Sequence, residues 1–184
     1  MNAQHVSTGA GTGLHRNPTV ALGRPKKEIV VRRLKAGDLP AVEAHLLALE
    51  SSGRHSRFHA LLGDDAIRGY IGRIDFERMI LTGAFDEETG RLVGLAEAHL
   101  DAATSTLRAE VSVSVLASRR GHGIGRLLAE AHLDAAARGT RRADFYFQIG
   151  NRAVARLVRD LGAPIATAPG FASLALPLGT PSLH

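Results

Sequence analysis

The chain has 184 residues, of which 45% are apolar and 22% charged, a composition that fits one folded domain with a sizeable core and excludes a fibre or a disordered chain. It has no cysteine, which removes disulfides, thiolate zinc sites and covalent cysteine catalysis. The net charge of +5 invites a nucleic-acid partner, but only Lys26, Lys27 and Lys35 of the 23 basic residues are lysines, the arginines are scattered through all segments, and aromatics are 4%, so neither a basic stripe nor stacking platforms are present.

Charged residues interrupt every apolar run well short of the roughly 18 residues a membrane span requires. Residues 1–28 carry neither the hydrophobic stretch nor the cleavage pattern of a secretory signal. The expectation is a cytoplasmic protein with no membrane or nucleic-acid partner, working as a monomer or homodimer. Residues 1–28, rich in Gly, Thr, Asn and Pro, read as an N-terminal tail, and Gly9, Gly11 and Gly13 within it have no preceding strand to make them a phosphate loop. The domain is expected over 29–178, and 179–184 form a short C-terminal tail.

In chain order, Ile29–Leu34 is β-branched and strand-like, and Asp38 offers an N-cap oxygen to a helix whose apolar side is Leu39, Val42, Leu46 and Leu49. Residues 56–74 predict one or two short helices, with Asp64 as a cap. Met79–Phe85 and Leu92–Leu100 flank the charged turn 86–90 and predict a hairpin. Leu107–Leu116 alternates, with Val111, Val113 and Val115 on one face and Glu110, Ser112 and Ser114 on the other. Ile124, Leu127, Leu128, Ala131 and Ala135 mark a helix that Gly139 ends. Ala143–Ile149 is the next strand, Asn151 caps a helix bearing Val154, Leu157, Val158 and Leu161, and Phe171–Leu178 is the last strand. The order is β-α-α-β-β-β-α-β-α-β.

The chemistry concentrates at Arg119-Arg120-Gly121-His122-Gly123-Ile124-Gly125-Arg126, which runs from a strand through a glycine-rich turn into a helix. The first turn of a helix has unpaired N–H groups and the positive end of the dipole, and glycines let the backbone approach an anion. Arg120 adds a cation, and Arg126 either helps it or only faces solvent. A Walker loop requires Gly-Lys followed by Ser or Thr where residues 125–127 are Gly-Arg-Leu. The dinucleotide fingerprint requires glycine at 126 and a parallel βαβ unit. Neither ATP nor NAD is favoured.

The remaining pattern, Arg-x-x-Gly-x-Gly at Arg120, Gly123 and Gly125, resembles the acetyl-CoA loop of the GNAT superfamily of N-acetyltransferases. Ala109-Glu110-Val111 before it, and Asn151, Ala155, Leu157, Leu161 and Gly162 after it, extend the resemblance over roughly residues 29–177. Ser56-Arg57-Phe58 and the Ala109-Glu110 pair are similar to the acetyltransferase domain of bacterial Pat-type protein-lysine acetyltransferases. The resemblance implies an α+β fold, an α/β/α sandwich with a mixed, mostly antiparallel sheet and helices on both faces.

The resemblance further implies acetyl-CoA as acyl donor, held by residues 120 to 126 (Arg120, Gly121, His122, Gly123, Ile124, Gly125, Arg126), by the main chain near Val113 and Val115, and by Asn151. It also implies Glu110 as the general base for an amine acceptor, with a protein lysine favoured over a small amine. The alternative is a non-catalytic acetyl-CoA-binding regulatory module. Arg57, Phe58, Tyr70, Phe85 and His99 are candidate acceptor-lining residues. His55 and His59 have i, i+4 spacing but no third ligand, so no metal is expected. The tyrosine that many members use to protonate the leaving thiolate has no counterpart among Leu157, Val158 and Leu161-Gly162-Ala163, and Tyr146, in the run Phe145-Tyr146-Phe147, reads first as strand core.

Overall fold

The computed structural model describes residues 29–100, 108–137, 140–162 and 170–175. Both expected tails, the Gly9–Gly13 cluster, Leu107, Gly139, Ala163 and residues 176–178 lie outside the described residues. The elements are β1 (Ile29–Arg33), α1 (Leu39–Leu47), α2 (Ser51–Phe58), α3 (Asp64–Ile71), β2 (Met79–Asp86), β3 (Leu92–Leu100), β4 (Arg108–Val115), α4 (Ile124–Ala136), β5 (Arg142–Tyr146), α5 (Arg152–Asp160) and β6 (Phe171–Ala175).

The six strands form one sheet in chain order, antiparallel throughout except that β4 and β5 run parallel. Parallel neighbours require a crossover, and α4 supplies it. It covers the sheet face of Val111, Val113 and Val115, where Leu128 and Ile124 abut Gly94, the register partner of Val115. The opposite face carries α1, whose His45 bonds Ser114 Oγ, and α2 and α3, whose Arg57 and Tyr70 meet Glu97. Polar groups on β4 therefore face a second helical layer where strand alternation alone predicts a solvated side.

Two apolar clusters follow. One centres on Val42, Leu46, Leu81, Leu95 and Leu128, and the other on Val111, Leu133, Ala136, Phe145 and Val158. The buried stripe of α4 is Ile124, Leu128, His132 and Ala136, with Ala129 and Leu133 beside it, whereas Leu127 is 45% exposed. The expected stripe is thus rotated by one position, because it could not take His132 as a core residue.

Two expected caps are corrected. Asp38 gives no side-chain bond to the start of α1. Its carboxylate instead pairs with Arg32 at 2.7 and 2.9 Å and accepts the Lys35 N–H at 2.9 Å, and these contacts, led by the Arg32 bond, hold its pKa down at about 2. Asp64 is the first residue of α3 behind the N-cap Gly63 and pairs with Arg54 at 2.7 Å. Helix α2 begins at Ser51, five residues before the expected start. Arg54 ties it down by donating to the carbonyls of Leu47, Leu49 and Leu62.

Candidate active site

The pairing of β4 with β5 ends at Val111↔Phe145, although β4 continues to Val115. Leu116 N–H donates to Val93 O at 3.0 Å, toward β3. Because peptide groups alternate sides along a strand, Val113 and Val115 direct their main-chain groups into the gap. The Val115 carbonyl there accepts Arg120 Nε at 3.0 Å. Ladder groups left without a strand need other partners, so the gap is a ready docking edge for an extended amide-bearing ligand.

A cleft of about 460 Å³ occupies the gap, lined by Val113 and Ser114 of β4, by Ser52, Ser56 and Arg57 of α2, by Arg120, and by Gln148 to Asn151 beyond β5. A narrower throat of about 60 Å³ continues from it, and Ser56, Arg57, Val113 and Val154 line both. The throat reaches Glu110, His59, His99 and Tyr146. Two shallower hollows also open onto Glu110 and Tyr146, one beside His59 and the other beside His99 and Asp144.

Arg120, on the cleft wall, leads directly into the glycine turn. Gly121 and Gly123 both have φ of 78°, and a Cβ at either would meet nothing within 4 Å. The amides of Arg126 and Leu127 bond Gly123 O, and that of Arg120 bonds Ala117 O. Among the described residues, the amides of 121–125 reach no protein acceptor. Five such amides, in a turn that runs into a helix start with its positive dipole end, suit an anion. At Gly125 a Cβ would stand 3.8 Å from Val115 Cγ2, an ordinary contact, so sterics do not explain that glycine.

The flanking charges differ from expectation. Arg120 lines the cleft but pairs through Nη1 with Glu50 Oε1 at 2.5 Å, so it is not a free cation. Arg126 pairs with Glu130 at 2.8 Å on the exposed side of α4. Arg119 joins Asp86 at 2.6 Å and anchors the turn to the hairpin. His122 Nδ1 stands 2.7 Å from Arg120 O. Asn151 fulfils its expected cap: its Oδ1 accepts the Val154 N–H at 3.2 Å, which leaves Nδ2 to donate to Ser56 Oγ at 2.7 Å. Gln148 donates to the His55 carbonyl.

The candidate acceptor residues separate. His99 pairs with Glu110 across β3 and β4 and lies on the same face. Phe58 packs edge-on against Tyr70 at 5.4 Å between ring centres. Phe85 sits on β2, two strands from β4, under the Arg32 guanidinium at 4.3 Å, so it is not part of this site. His59 ends α2 with a φ of 55°, which breaks the helical face it was to share with His55. Among the described residues no group of three or more His, Asp or Glu is placed to hold a metal ion. Tyr146 is half exposed at the throat with its ring against Phe171, not in the core as its apolar neighbours suggest.

One cluster escaped the sequence reading. Glu97 of β3 is fully buried and accepts from both Arg57 Nη2 and the Tyr70 hydroxyl. Burial pulls the Arg57 guanidinium down while the Glu97 carboxylate pushes it up, and the net direction is up. Burial, then the Glu97 charge, push the Tyr70 hydroxyl well above its ordinary value. The partners are 27 and 40 residues apart in sequence, and no local pattern announces them.

This sheet, split between two parallel strands beside a glycine-rich helix start, defines an acyl-carrier transferase architecture. The family model described as the acetyltransferase (GNAT) family matches residues 44–163, well over half of the chain, and the protein belongs to that family of N-acetyltransferases. No curated relative matches it. Among solved structures it is similar to the GNAT domain of Streptomyces lividans PAT, with 20% identity, TM-score 0.62, and coverage of 79% of this chain and 89% of that one. It is also similar to a GNAT-family acetyltransferase from Streptococcus pneumoniae, with 16% identity, TM-score 0.64, and coverage of 82% and 100%. A phosphinothricin acetyltransferase from Sinorhizobium meliloti, solved in complex with acetyl-CoA, gives 19% identity, TM-score 0.62, and coverage of 83% and 90%.

Proposed function

We propose that the protein transfers the acetyl group of acetyl-CoA to a primary amine, with a protein lysine as the favoured acceptor. One observation carries this reading: the opening where β4 outruns β5 runs from Arg120, next in chain to the unpartnered amides of 121–125, to Glu110. The diphosphate of the donor fits the amides of 121–125, its pantetheine amides fit the open main chain of Val113 and the N–H side of Val115, and Asn151 closes the cleft at the start of α5. Arg120 and His122 border the diphosphate, while Arg126, paired to Glu130, contributes to the local positive potential only.

Glu110 lies on the exposed side of the throat where an acceptor enters. A lysine amine with a pKa near 10.4 is an ammonium at neutral pH, and presenting it as free amine at pH 7 costs roughly 4.6 kcal/mol. Glu110 accepts that proton directly or through one water. The amine lone pair then forms the bond to the acyl carbon, a main-chain N–H near Val115 supports the oxyanion, and the carbon–sulfur bond breaks. His59, His99 and Tyr146 shape the acceptor mouth. The likeness to the PAT domain and the Ser56-Arg57-Phe58 segment support a protein lysine over a small amine.

Glu110→Gln tests this reading. The variant is expected to lose about 10²-fold or more in acetyl transfer while calorimetric affinity for acetyl-CoA stays unchanged. Full activity in the variant refutes the base assignment, and absence of acetyl-CoA binding by the wild type refutes the cleft assignment.

A further inference from the structure

The side chain that many relatives use to quench the leaving sulfur has no counterpart on α5, where Val158 is buried in the core. Something else must meet the charge that gathers on sulfur. We propose that Ser56 and Arg57 of α2 form the receptor for the departing thiolate, with Glu97 and Tyr70 as positioning residues. This rests on the reading of the cleft as the seat of acetyl-CoA.

Ser56 and Arg57, together with Val113 and Val154, are the residues that line both cleft and throat. A thioester whose carrier fills the cleft and whose acyl group meets Glu110 in the throat must cross this junction. Val113 and Val154 have apolar side chains, so the polar side chains at the crossing are those of Ser56 and Arg57.

Both are held with donors to spare. The Asn151 amide is oriented by its own cap bond, because Oδ1 takes the Val154 N–H and Nδ2 therefore points at Ser56 Oγ. Ser56 must accept from it, and its own O–H is left to donate elsewhere; among the described residues it has no acceptor. Arg57 gives both its bonds, to Glu97 and Tyr70, from Nη2. Its Nε and Nη1 have no acceptor among the described residues.

Glu97 is fully buried and lines neither opening. Seen from the junction, the near charge is the guanidinium and the balancing carboxylate lies behind it. A cation preorganised in a water-poor site stabilises developing negative charge far more than one in bulk water. The amine nitrogen, already deprotonated by Glu110, bonds to the acyl carbon, the carbon–sulfur pair goes to sulfur, the surplus proton on nitrogen passes to solvent, and solvent protonates the thiolate after release.

The same junction explains why the departing group tolerates a neighbourhood that also holds Glu110. Around it stand His59 from α2, Tyr70 from α3, Glu97 and His99 from β3, Glu110 from β4, Tyr146 from β5, and the Arg120–Glu50 pair at the cleft rim. The Glu110 carboxylate opposes a thiolate, so any depression of the thiol pKa in the complex is a net effect in which Ser56 and Arg57 outweigh it.

The test titrates the thiol of free CoA bound to the full-length protein, read by thiolate ultraviolet absorbance, alongside steady-state kinetics with acetyl-CoA. A free thiol titrates near 8.5, and in the wild-type complex the value is expected at least about one unit lower. Ser56→Ala is expected to shrink the depression and to lower kcat at least about tenfold with little change in KM for acetyl-CoA. Because removing Arg57 alone strands Glu97, the second variant is the neutral pair Arg57→Met with Glu97→Gln, in which the depression should shrink while CoA still binds. A bound thiol that titrates like the free one, or a Ser56→Ala enzyme matching wild type in both readouts, overturns the proposal and leaves the cleft reading standing. Calorimetry showing no CoA binding at all overturns both.

Discussion

Two buried histidines set how this protein responds to acid. His45 is 1% exposed in α1, with Nδ1 3.2 Å from the Leu92 carbonyl and Nε2 2.9 Å from Ser114 Oγ, so Nδ1 carries the hydrogen and Ser114 donates to Nε2. Burial, slightly offset by the Leu92 bond, pushes its pKa down to about 4. His132 of α4 has no exposure, and burial with the Arg33 charge brings it to about 4 as well.

A group whose pKa is depressed by folding takes up its proton more readily when unfolded, so for a histidine the contribution is intact above about 6.5 and is lost as pH falls toward 4. From about pH 7.5 to about pH 5, each ring costs about 2 kcal/mol, and the pair about 4 kcal/mol, a large part of the 5–15 kcal/mol of a typical domain. The Asp38 carboxylate, held near 2, loses its contribution only below about 4 and leaves this window to the histidines. Urea unfolding at the two pH values measures the difference. His45→Asn removes one of the two protons taken up, and the pH-dependent loss should fall to about half. A wild-type loss under about 1 kcal/mol, or a variant with undiminished pH dependence, refutes the reasoning.

Other positions give independent checks. Gly83→Ala places a Cβ 2.6 Å from Leu92 Cδ1 and 2.8 Å from Leu34 Cδ2, both buried, and overpacking should cost about 1–3 kcal/mol in chemical denaturation. Gly123→Ala meets open space but a φ of 78°; it should cost about 1–2 kcal/mol of stability and weaken CoA binding in calorimetry, and unchanged affinity would remove the turn as the diphosphate site.

Local sequence carried the parts of this structure that depend on short-range rules. Strand alternation placed β4, the charged stretch 86–90 placed the hairpin turn, and Arg120 to Arg126 marked a strand-to-helix turn in which the amides of 121–125 have no acceptor among the described residues. Asn151 announced its cap because an asparagine needs only the next three residues to act as one. Failures came where a distant partner decides. Ser51-Ser52-Gly53 is poor helix material, and α2 starts there because Arg54 is bonded to three carbonyls of neighbouring segments. Asp38 had a nearer cation in Arg32. The Glu97 cluster joins three elements, and Ser56 becomes conspicuous only once Asn151, 95 residues later, reaches it.

The pairing that stops at Val111↔Phe145 divides the sheet into a broad four-stranded panel and a narrow two-stranded flap, stitched together over four register positions. On the proposed reading a carrier lying in the gap completes the missing rungs, so loading should brace the flap. Amide protons of β5 and β6 would then exchange more slowly when CoA is present, while those of β1 to β3, already sewn on both sides or capped by α4, would hardly notice. On the proposed reading, the seam that stops short is also the one the cosubstrate closes.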